Sequence, residues 1–228
     1  MLKRGIILFS LQGIDDAFLG KSYIQLRLEE HGMIVHNNYN DTIKELRKLI
    51  QNKHKIFFTS DTHFSSERTL KFSRRPFASV DEMNENIIKN WNNIVSPEDG
   101  VYHLGDFGDL SFASKLNGKI HLILGNYETE IIKENPAYID KLESLFFKVM
   151  PNETIALKDG SLLYMTHKPS DCKRNMFCAF GHIHGLKKVN YFGVNVGVDA
   201  NHFMPLDEDD ILFYKNAIIN HYDYEVFL

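Results

Sequence analysis

The chain has 228 residues, of which 43% are hydrophobic and 25% are charged, and its formal net charge is -4. These totals are typical of a globular protein and argue against broad electrostatic binding of nucleic acid, although a local basic groove stays open. The two cysteines form no Cys-x-x-Cys pair, and no apolar run has the length of a membrane span. We therefore expect a soluble, cytoplasmic protein without a disulfide framework.

Residues 1–54 differ from the rest of the chain. The pattern predicts a strand at 6–11, a helix at 14–30 and a second helix that begins near Thr42. This segment carries none of the candidate metal donors and is too short for a sizeable core of its own. We expect an N-terminal extension, 1–54, docked on a main domain that covers 55–228.

From Lys55 onward, predicted strands and helices alternate. A capping box from Ser79 to Glu82 opens a helix that ends near Val95, and helices are also predicted at 111–116 and 128–147, the last broken near Pro136. Strands dominate after residue 150. They are predicted at 153–157, 161–166, 177–180, 191–198, 211–214 and 222–227. Helices early and strands late indicate an α/β chain with two packed sheets flanked by helices.

Side chains that bind metals follow five short apolar runs. The donors are Asp61 and His63 after run 55–60, Asp106 after 101–105, Asn126 after 120–125, His167 after 162–166, and His182 with His184 after 177–181. Ligands at strand ends are typical of a site on one edge of a sheet. The mixed nitrogen and oxygen set is large enough for two divalent ions, with manganese favoured and iron, zinc, cobalt or nickel possible. The pattern predicts a metal-assisted hydrolase.

The motifs differ in specificity when each is taken alone. The triplet 61–63 is more typical of a surface loop, and the pairs Gly105–Asp106 and Gly125–Asn126 commonly mark turns. The run 181–185, Gly-His-Ile-His-Gly, is stronger, because its glycines allow backbone and metal to approach closely. Their joint occurrence in order, each at a strand end, indicates one shared metal site.

In this order the blocks resemble those of the calcineurin-like metallophosphoesterases, over about residues 55–200. The resemblance implies two mixed β-sheets packed in a sandwich between helices. It also implies two ions that lower the pKa of a shared water, so that a bridging hydroxide attacks phosphorus. By position, one ion would be held by Asp61, His63, Asp106 and His184, and the other by Asp106, Asn126, His167 and His182, with the Asp106 carboxylate as the bridge.

The chain departs from the family at position 127. The family usually has Gly-Asn-His-Asp/Glu, whose His protonates the leaving oxygen, whereas this chain has Tyr127 between Asn126 and Glu128. A tyrosine with an ordinary pKa of about 10 is a weaker acid than imidazolium. Family members without this His tend to be phosphodiesterases, so we expect Tyr127 and Asp106 to act on small phosphodiesters such as cyclic nucleotides or nucleotide derivatives. Tyr127 could instead pack over the site, with His103 or a metal-bound water supplying the proton.

Several alternatives stay open. A nuclease or a phosphomonoesterase would use the same fold, and a non-catalytic metal-binding scaffold could bind protein partners through residues 1–54. Nucleic acid is not favoured as a partner, no membrane partner is expected, and the oligomeric state is undetermined. His103 or Asp109 could orient ligand imidazoles. The basic residues that could bind phosphate, or lie in solvated loops, are Arg68, Arg74, Arg75, Lys168, Lys173 and Arg174.

Overall fold

The structure, a computed structural model, describes residues 54–221. The predicted N-terminal extension, apart from His54, and the predicted strand at 222–227 lie outside the described residues. Within that range, no helix combines the length and the apolar character needed to cross a bilayer.

The first sheet has five strands and is mostly parallel. Its order is β10-β1-β2-β3-β4, with β1 to β4 parallel and β10 antiparallel to β1. Phe57 and Phe58 are neighbours in β1 and both are buried, as expected when a parallel sheet is covered on both faces. The strands are β1 Ile56–Thr59, β2 Gly100–His103, β3 Lys119–Ile123, β4 Lys148–Met150 and β10 Leu206–Asp207.

The second sheet also has five strands, in the order β5-β6-β7-β9-β8. Its central pairs, β6 with β7 and β7 with β9, are parallel, while the outer pairs are antiparallel, so this sheet is mixed as well. The strands are β5 Glu153–Ala156, β6 Leu162–Met165, β7 Phe177–Phe180, β8 Val189–Asn190 and β9 Gly193–Asn195.

Helices complete the layers. The Ser79 hydroxyl accepts a hydrogen bond from the Glu82 N–H at the start of the longest helix, as the capping motif predicts. Met83, Ile87 and Trp91 are buried on one face of this helix. The α-helices are α1 Glu67–Phe72, α2 Val80–Ile94, α3 Asn126–Glu134, α4 Tyr138–Leu145 and α5 Glu208–Asn220, and 3-10 turns cover Leu110–Lys115, Pro169–Asp171 and Val198–Ala200.

Two cores divide the interior. One lies between the first sheet and its helices and contains Phe57 with Trp91 and Leu122. The other joins Phe58 and Ile123 of the first sheet to residues of the second, such as Leu163 and Val194. Because alternate residues of β1 face opposite sides, Phe57 and Phe58 fall in different cores. The predicted sandwich of two mixed sheets flanked by helices is confirmed.

Some predicted elements are wrong. Residues 211–214 are not a strand but lie in α5, which begins with reciprocal capping between Asp207 and Asp210 and buries Ile211 and Ile218 on one face. A short apolar run cannot be assigned to strand or helix by periodicity alone. The predicted strand 191–198 is shorter in the structure: only β9 forms, and it pairs with β8 in the antiparallel direction. The predicted helix at 111–116 is a 3-10 turn. The strands β4 and β10 and helix α1 were not predicted.

Candidate metal centre

All seven predicted metal donors lie just beyond the carboxyl ends of parallel strands. Asp61 and His63 follow β1, Asp106 follows β2, and Asn126 begins α3 after β3. His167 follows β6, and His182 and His184 follow β7. The donors form two groups, in each of which the ligand atoms lie within 4.8 Å of one another. We call Asp61, His63 and His184 the first metal group, and Asp106, His167 and His182 the second metal group.

The Asp106 carboxylate belongs to the second metal group and also faces the first. Its Oδ2 atom is 3.5 Å from Nε2 of His63 and 3.5 Å from Nε2 of His167. Its other oxygen, Oδ1, accepts a hydrogen bond of 3.0 Å from the Tyr127 N–H, which fixes the carboxylate plane. One oxygen atom of Asp106 therefore faces an imidazole nitrogen of each group, a position compatible with a carboxylate shared by two ions.

The hydrogen-bond chemistry of the second metal group is compatible with a bound cation. His167 Nδ1 is 2.6 Å from the Leu104 carbonyl, which only accepts, so Nδ1 carries the proton and Nε2 of the neutral ring presents a lone pair. Asn126 Oδ1, also an acceptor, is 3.0 Å from this Nε2 and 2.9 Å from His182 Nδ1. The two ring nitrogens are 3.2 Å apart. When the His182 proton is on Nε2, three electron-donating atoms converge on one point, and a proton or a metal ion bound there would remove their mutual repulsion.

The first metal group contains buried polar atoms without hydrogen bonds. Among the described residues, Asp61 Oδ1 and His63 Nε2 are buried and lack any hydrogen-bond partner. The other Asp61 oxygen, Oδ2, accepts the His182 N–H at 2.8 Å. An unsatisfied buried polar atom costs about 1–3 kcal/mol, and a divalent cation bound between Asp61 and His63 would satisfy both. The residues present therefore fit a metal ion.

The backbone of the donors is strained. Five of them have positive φ angles although none is glycine, a conformation that costs about 1–2 kcal/mol per residue. Such strain persists only where the surroundings enforce it, and it clusters at functional sites. The five are Asp61 at 58°, His63 at 46°, Asp106 at 56°, His182 at 72° and His184 at 49°.

Two glycines make room for the carboxylates. A Cβ atom on Gly125 would lie 2.2 Å from Asp106 Oδ1, and one on Gly181 would lie 2.4 Å from Asp61 Oδ2. No side chain fits at such distances. Gly125 and Gly181 are thus required by the positions of the Asp106 and Asp61 carboxylates, and for Gly181 the close approach was predicted from the motif 181–185.

The pKa shifts separate the histidines. Burial lowers the pKa of His63 to about 3 and also lowers that of His182, so both rings are neutral and available as ligands. Burial acts in the same direction on His167, but the hydrogen bond to Asp106 and the charge of Asp61 outweigh it and raise its pKa to about 9. The pKa of His184 is raised too, because the hydrogen bond to the Asp199 carboxylate outweighs the effect of burial. A metal at His167 would displace a proton.

Glu128 and Asp199 support the donors in ways that the sequence did not reveal. Glu128 Oε2 accepts the N–H groups of Asp106 and Gly125, and Oε1 accepts that of Phe107, each at 2.9 Å. Asp199 Oδ2 lies 2.7 Å from Nδ1 of His184 and so leaves Nε2 of that ring free for a metal. No short motif signals Asp199, which follows His184 by fifteen residues in a 3-10 turn.

Several predicted supporting residues have other roles. Arg75, expected at a basic edge, is buried and paired with Asp199. Asp109 caps the 3-10 turn Leu110–Lys115 and contacts no ligand ring. His103 is fully buried, and its Nε2 lies 2.9 Å from the Thr62 hydroxyl, so it supports the loop between Asp61 and His63. Lys173 lies over the ring of Tyr164, 4.2 Å from its centroid.

A pocket of about 850 Å³ opens over both groups. Tyr127 lies at its rim, 38% exposed, and its hydroxyl oxygen accepts a hydrogen bond of 3.0 Å from Arg68. The Tyr127 ring meets that of His63 edge-on, with centroids 5.1 Å apart. Arg74 also lines the pocket, together with the exposed side chains of Phe72 and Leu186. The volume is in the range of small-molecule sites.

Comparisons with known proteins support the fold. No model of a known protein family matches the chain. Over 82 residues, 32% of this chain, it is 44% identical to an uncharacterized protein of Methanocaldococcus jannaschii, and it spans about half the length, 47%, of that relative. The crystal structure of a protein of unknown function from Aquifex aeolicus matches with a TM-score of 0.55 and 22% identity, covering 71% of this chain and 100% of the other. This likeness shows the fold alone.

Proposed function

We propose that the chain is a binuclear metal-dependent phosphoesterase that favours small phosphodiesters. The observation that carries the proposal is the position of Asp106 Oδ2, 3.5 Å from an imidazole nitrogen of each metal group, at the floor of one open pocket. The ordered blocks that resemble calcineurin-like metallophosphoesterases support the same reading.

The side chains divide into two ligand sets. Two divalent ions, when bound, supply water activation and neutralise charge on the phosphoryl oxygens. Asp61, His63 and His184 would hold one ion, and Asn126, His167 and His182 the other, with Asp106 shared. The uncompensated Asp61 Oδ1 and His63 Nε2 support the first set, and the convergence on Asn126 Oδ1 supports the second.

Arg68 and Tyr127 are placed to act on the substrate. Both line the pocket, and Arg68 donates to the Tyr127 hydroxyl oxygen, so the hydroxyl proton is left to donate elsewhere. The guanidinium groups of Arg68 and Arg74 would bind anionic phosphoryl oxygens. Among the described residues, the histidines that line the pocket all belong to the metal groups. Tyr127 is therefore a better candidate than buried His103 for the proton donor, and the missing imidazole acid favours diesters.

The experiment is a hydrolysis assay of the purified protein over a series of divalent metals. We expect turnover of a bis-aryl phosphodiester, with an aryl monoester and cyclic nucleotides measured in parallel to rank the substrates. Asp106→Ala and His182→Ala should reduce turnover to the level of metal-depleted wild type. His202→Asn is the matched control, because His202 is an exposed histidine outside both metal groups. Unchanged turnover in Asp106→Ala, or no hydrolysis by wild type with any metal, would refute the proposal.

A further inference from the structure

Arg75 is a buried arginine whose side chain makes five polar contacts. Its Nε and Nη2 atoms donate to the two carboxylate oxygens of Asp199 at 2.8 and 2.9 Å, which makes a bidentate ion pair. The Arg75 side chain is 0% exposed and that of Asp199 is 6% exposed. Nη2 also donates to the Asp61 carbonyl at 2.6 Å, and Nη1 to the Thr62 carbonyl at 2.8 Å and to the sulfur of Met83 at 3.4 Å. The guanidinium thereby joins a carboxylate to the backbone that follows β1.

The partner of Arg75 orients a ligand ring. Asp199 Oδ2 is 2.7 Å from Nδ1 of His184, and the Ser73 hydroxyl is 3.1 Å from the same nitrogen. A carboxylate at Nδ1 fixes the tautomer and the ring plane, and it increases the basicity of Nε2 toward a metal. The Arg75 fork in turn fixes the carboxylate plane of Asp199.

The contacts reach every member of the first metal group. The carbonyls of Asp61 and Thr62 belong to the two peptide units that lead from Asp61 to His63, and Asp199 holds His184. All three donors have positive φ angles, which need such external support. Within residues 54–221, neither Arg75 nor Asp199 forms a hydrogen bond or an ion pair with Asp106, His167 or His182. Asp106 and His167 are held by other partners, Glu128 and the Leu104 carbonyl.

We propose that Arg75 and Asp199 are a positioning pair that sets the affinity of the first metal group and not that of the second. The inference rests on the proposed two-metal site. A lysine at position 75 would keep one charge but could not make the fork and both carbonyl contacts. An asparagine at position 199 would keep the shape and lose the charge that holds both Arg75 and His184.

The test is a titration of Mn²⁺ into metal-free protein, followed by calorimetry and by electron paramagnetic resonance. Wild type should bind two ions. Asp199→Asn and Arg75→Lys should weaken one of the two binding steps about 10–100-fold and leave the other unchanged, the range typical of changes behind a metal ligand. Asp109→Asn is the matched control, because the exposed Asp109 side chain caps a 3-10 turn and accepts from the Ser65 hydroxyl, and within the described range it bonds to no donor ring. An asparagine keeps an oxygen for these bonds, so both binding steps should stay as in wild type.

The outcomes separate this inference from the proposed function. Two unchanged steps in Asp199→Asn would overturn the inference and leave the two-metal site standing. Equal weakening of both steps would also overturn it, because a general structural defect predicts that result. If wild type binds fewer than two ions, the proposed function fails and the inference fails with it. Circular dichroism checks that each variant is folded. If Arg75→Lys does not fold, the metal titration of Asp199→Asn alone tests the inference.

Discussion

Glu128 provides a quantitative test of how the site is held together. Its carboxylate accepts three backbone N–H groups, those of Asp106, Phe107 and Gly125, and it is 3% exposed. In Glu128→Gln, the retained oxygen can serve at most the two N–H groups that Oε2 serves now, and the new NH₂ group faces the third. One orphaned buried N–H costs about 1–3 kcal/mol, and the loss of charge in the two remaining bonds costs about 1 kcal/mol each.

One effect opposes this loss. Burial raises the pKa of Glu128, which means that the ionised carboxylate is held at a desolvation cost that the neutral amide avoids. We therefore expect the substitution to lower the free energy of unfolding by about 3 kcal/mol, at the lower end of the about 3–5 kcal/mol that the lost interactions cost together. Urea unfolding of the metal-free protein at pH 7 measures it, and metal must be absent because a ligand of the native state adds its own stabilisation.

The control for Glu128 lies on the same helix. Glu130 is an exposed glutamate of α3, so Glu130→Gln should change the free energy of unfolding by less than about 0.5 kcal/mol. If Glu128→Gln is no more destabilised than Glu130→Gln, then Glu128 does not hold the two loops that carry Asp106 and Asn126, and the reasoning from its three hydrogen bonds is refuted.

Two further predictions concern protons and selectivity. Because the pKa of His167 is about 9 without metal, Mn²⁺ must displace its proton, so affinity at the second metal group should rise about tenfold per pH unit from pH 7 to 9 and level off above. Calorimetry at pH 7 in two buffers of different ionisation enthalpy should detect this proton, and a metal affinity independent of pH would contradict the assignment. Tyr127→His should raise turnover of an aryl monoester relative to a diester, since it restores a stronger acid at the pocket rim. A ratio that does not move would show that Tyr127 is not the selectivity element.

The metal donors could be predicted from sequence because each follows an apolar strand. The burial of β1 on both faces and the glycines at 125 and 181 leave little freedom in where Asp61, Asp106 and His182 can lie. The helix over 211–214 could not be predicted in this way. Residues 211–214, Ile-Leu-Phe-Tyr, form a continuous apolar run, and a run of four apolar residues is compatible with a buried strand as well as with a helix. In α5 Ile211 is buried while Phe213 is 62% exposed, a difference in burial that the run itself does not reveal.

The supporting residues could not be predicted because their partners are distant in sequence. Arg75 contacts Asp199 across 124 positions, and its neighbour Arg74 is exposed at the pocket, so the pair of arginines resembles a basic surface edge. In the sequence, Glu128 could be recognised only as the last residue of the motif 125–128. The three backbone N–H groups that donate to its carboxylate could not be predicted from that motif. Two buried charges of opposite sign thus organise the site, Arg75 behind the first metal group and Glu128 behind the loops of Asp106 and Asn126.

The most direct test of the central claim is the metal state of the wild-type protein loaded with Mn²⁺. A carboxylate oxygen 3.5 Å from nitrogens of both groups predicts two ions per chain and the electron paramagnetic resonance spectrum of an exchange-coupled pair. Asp106→Ala should abolish that coupling. One ion per chain, or two ions without coupling in wild type, would contradict the account.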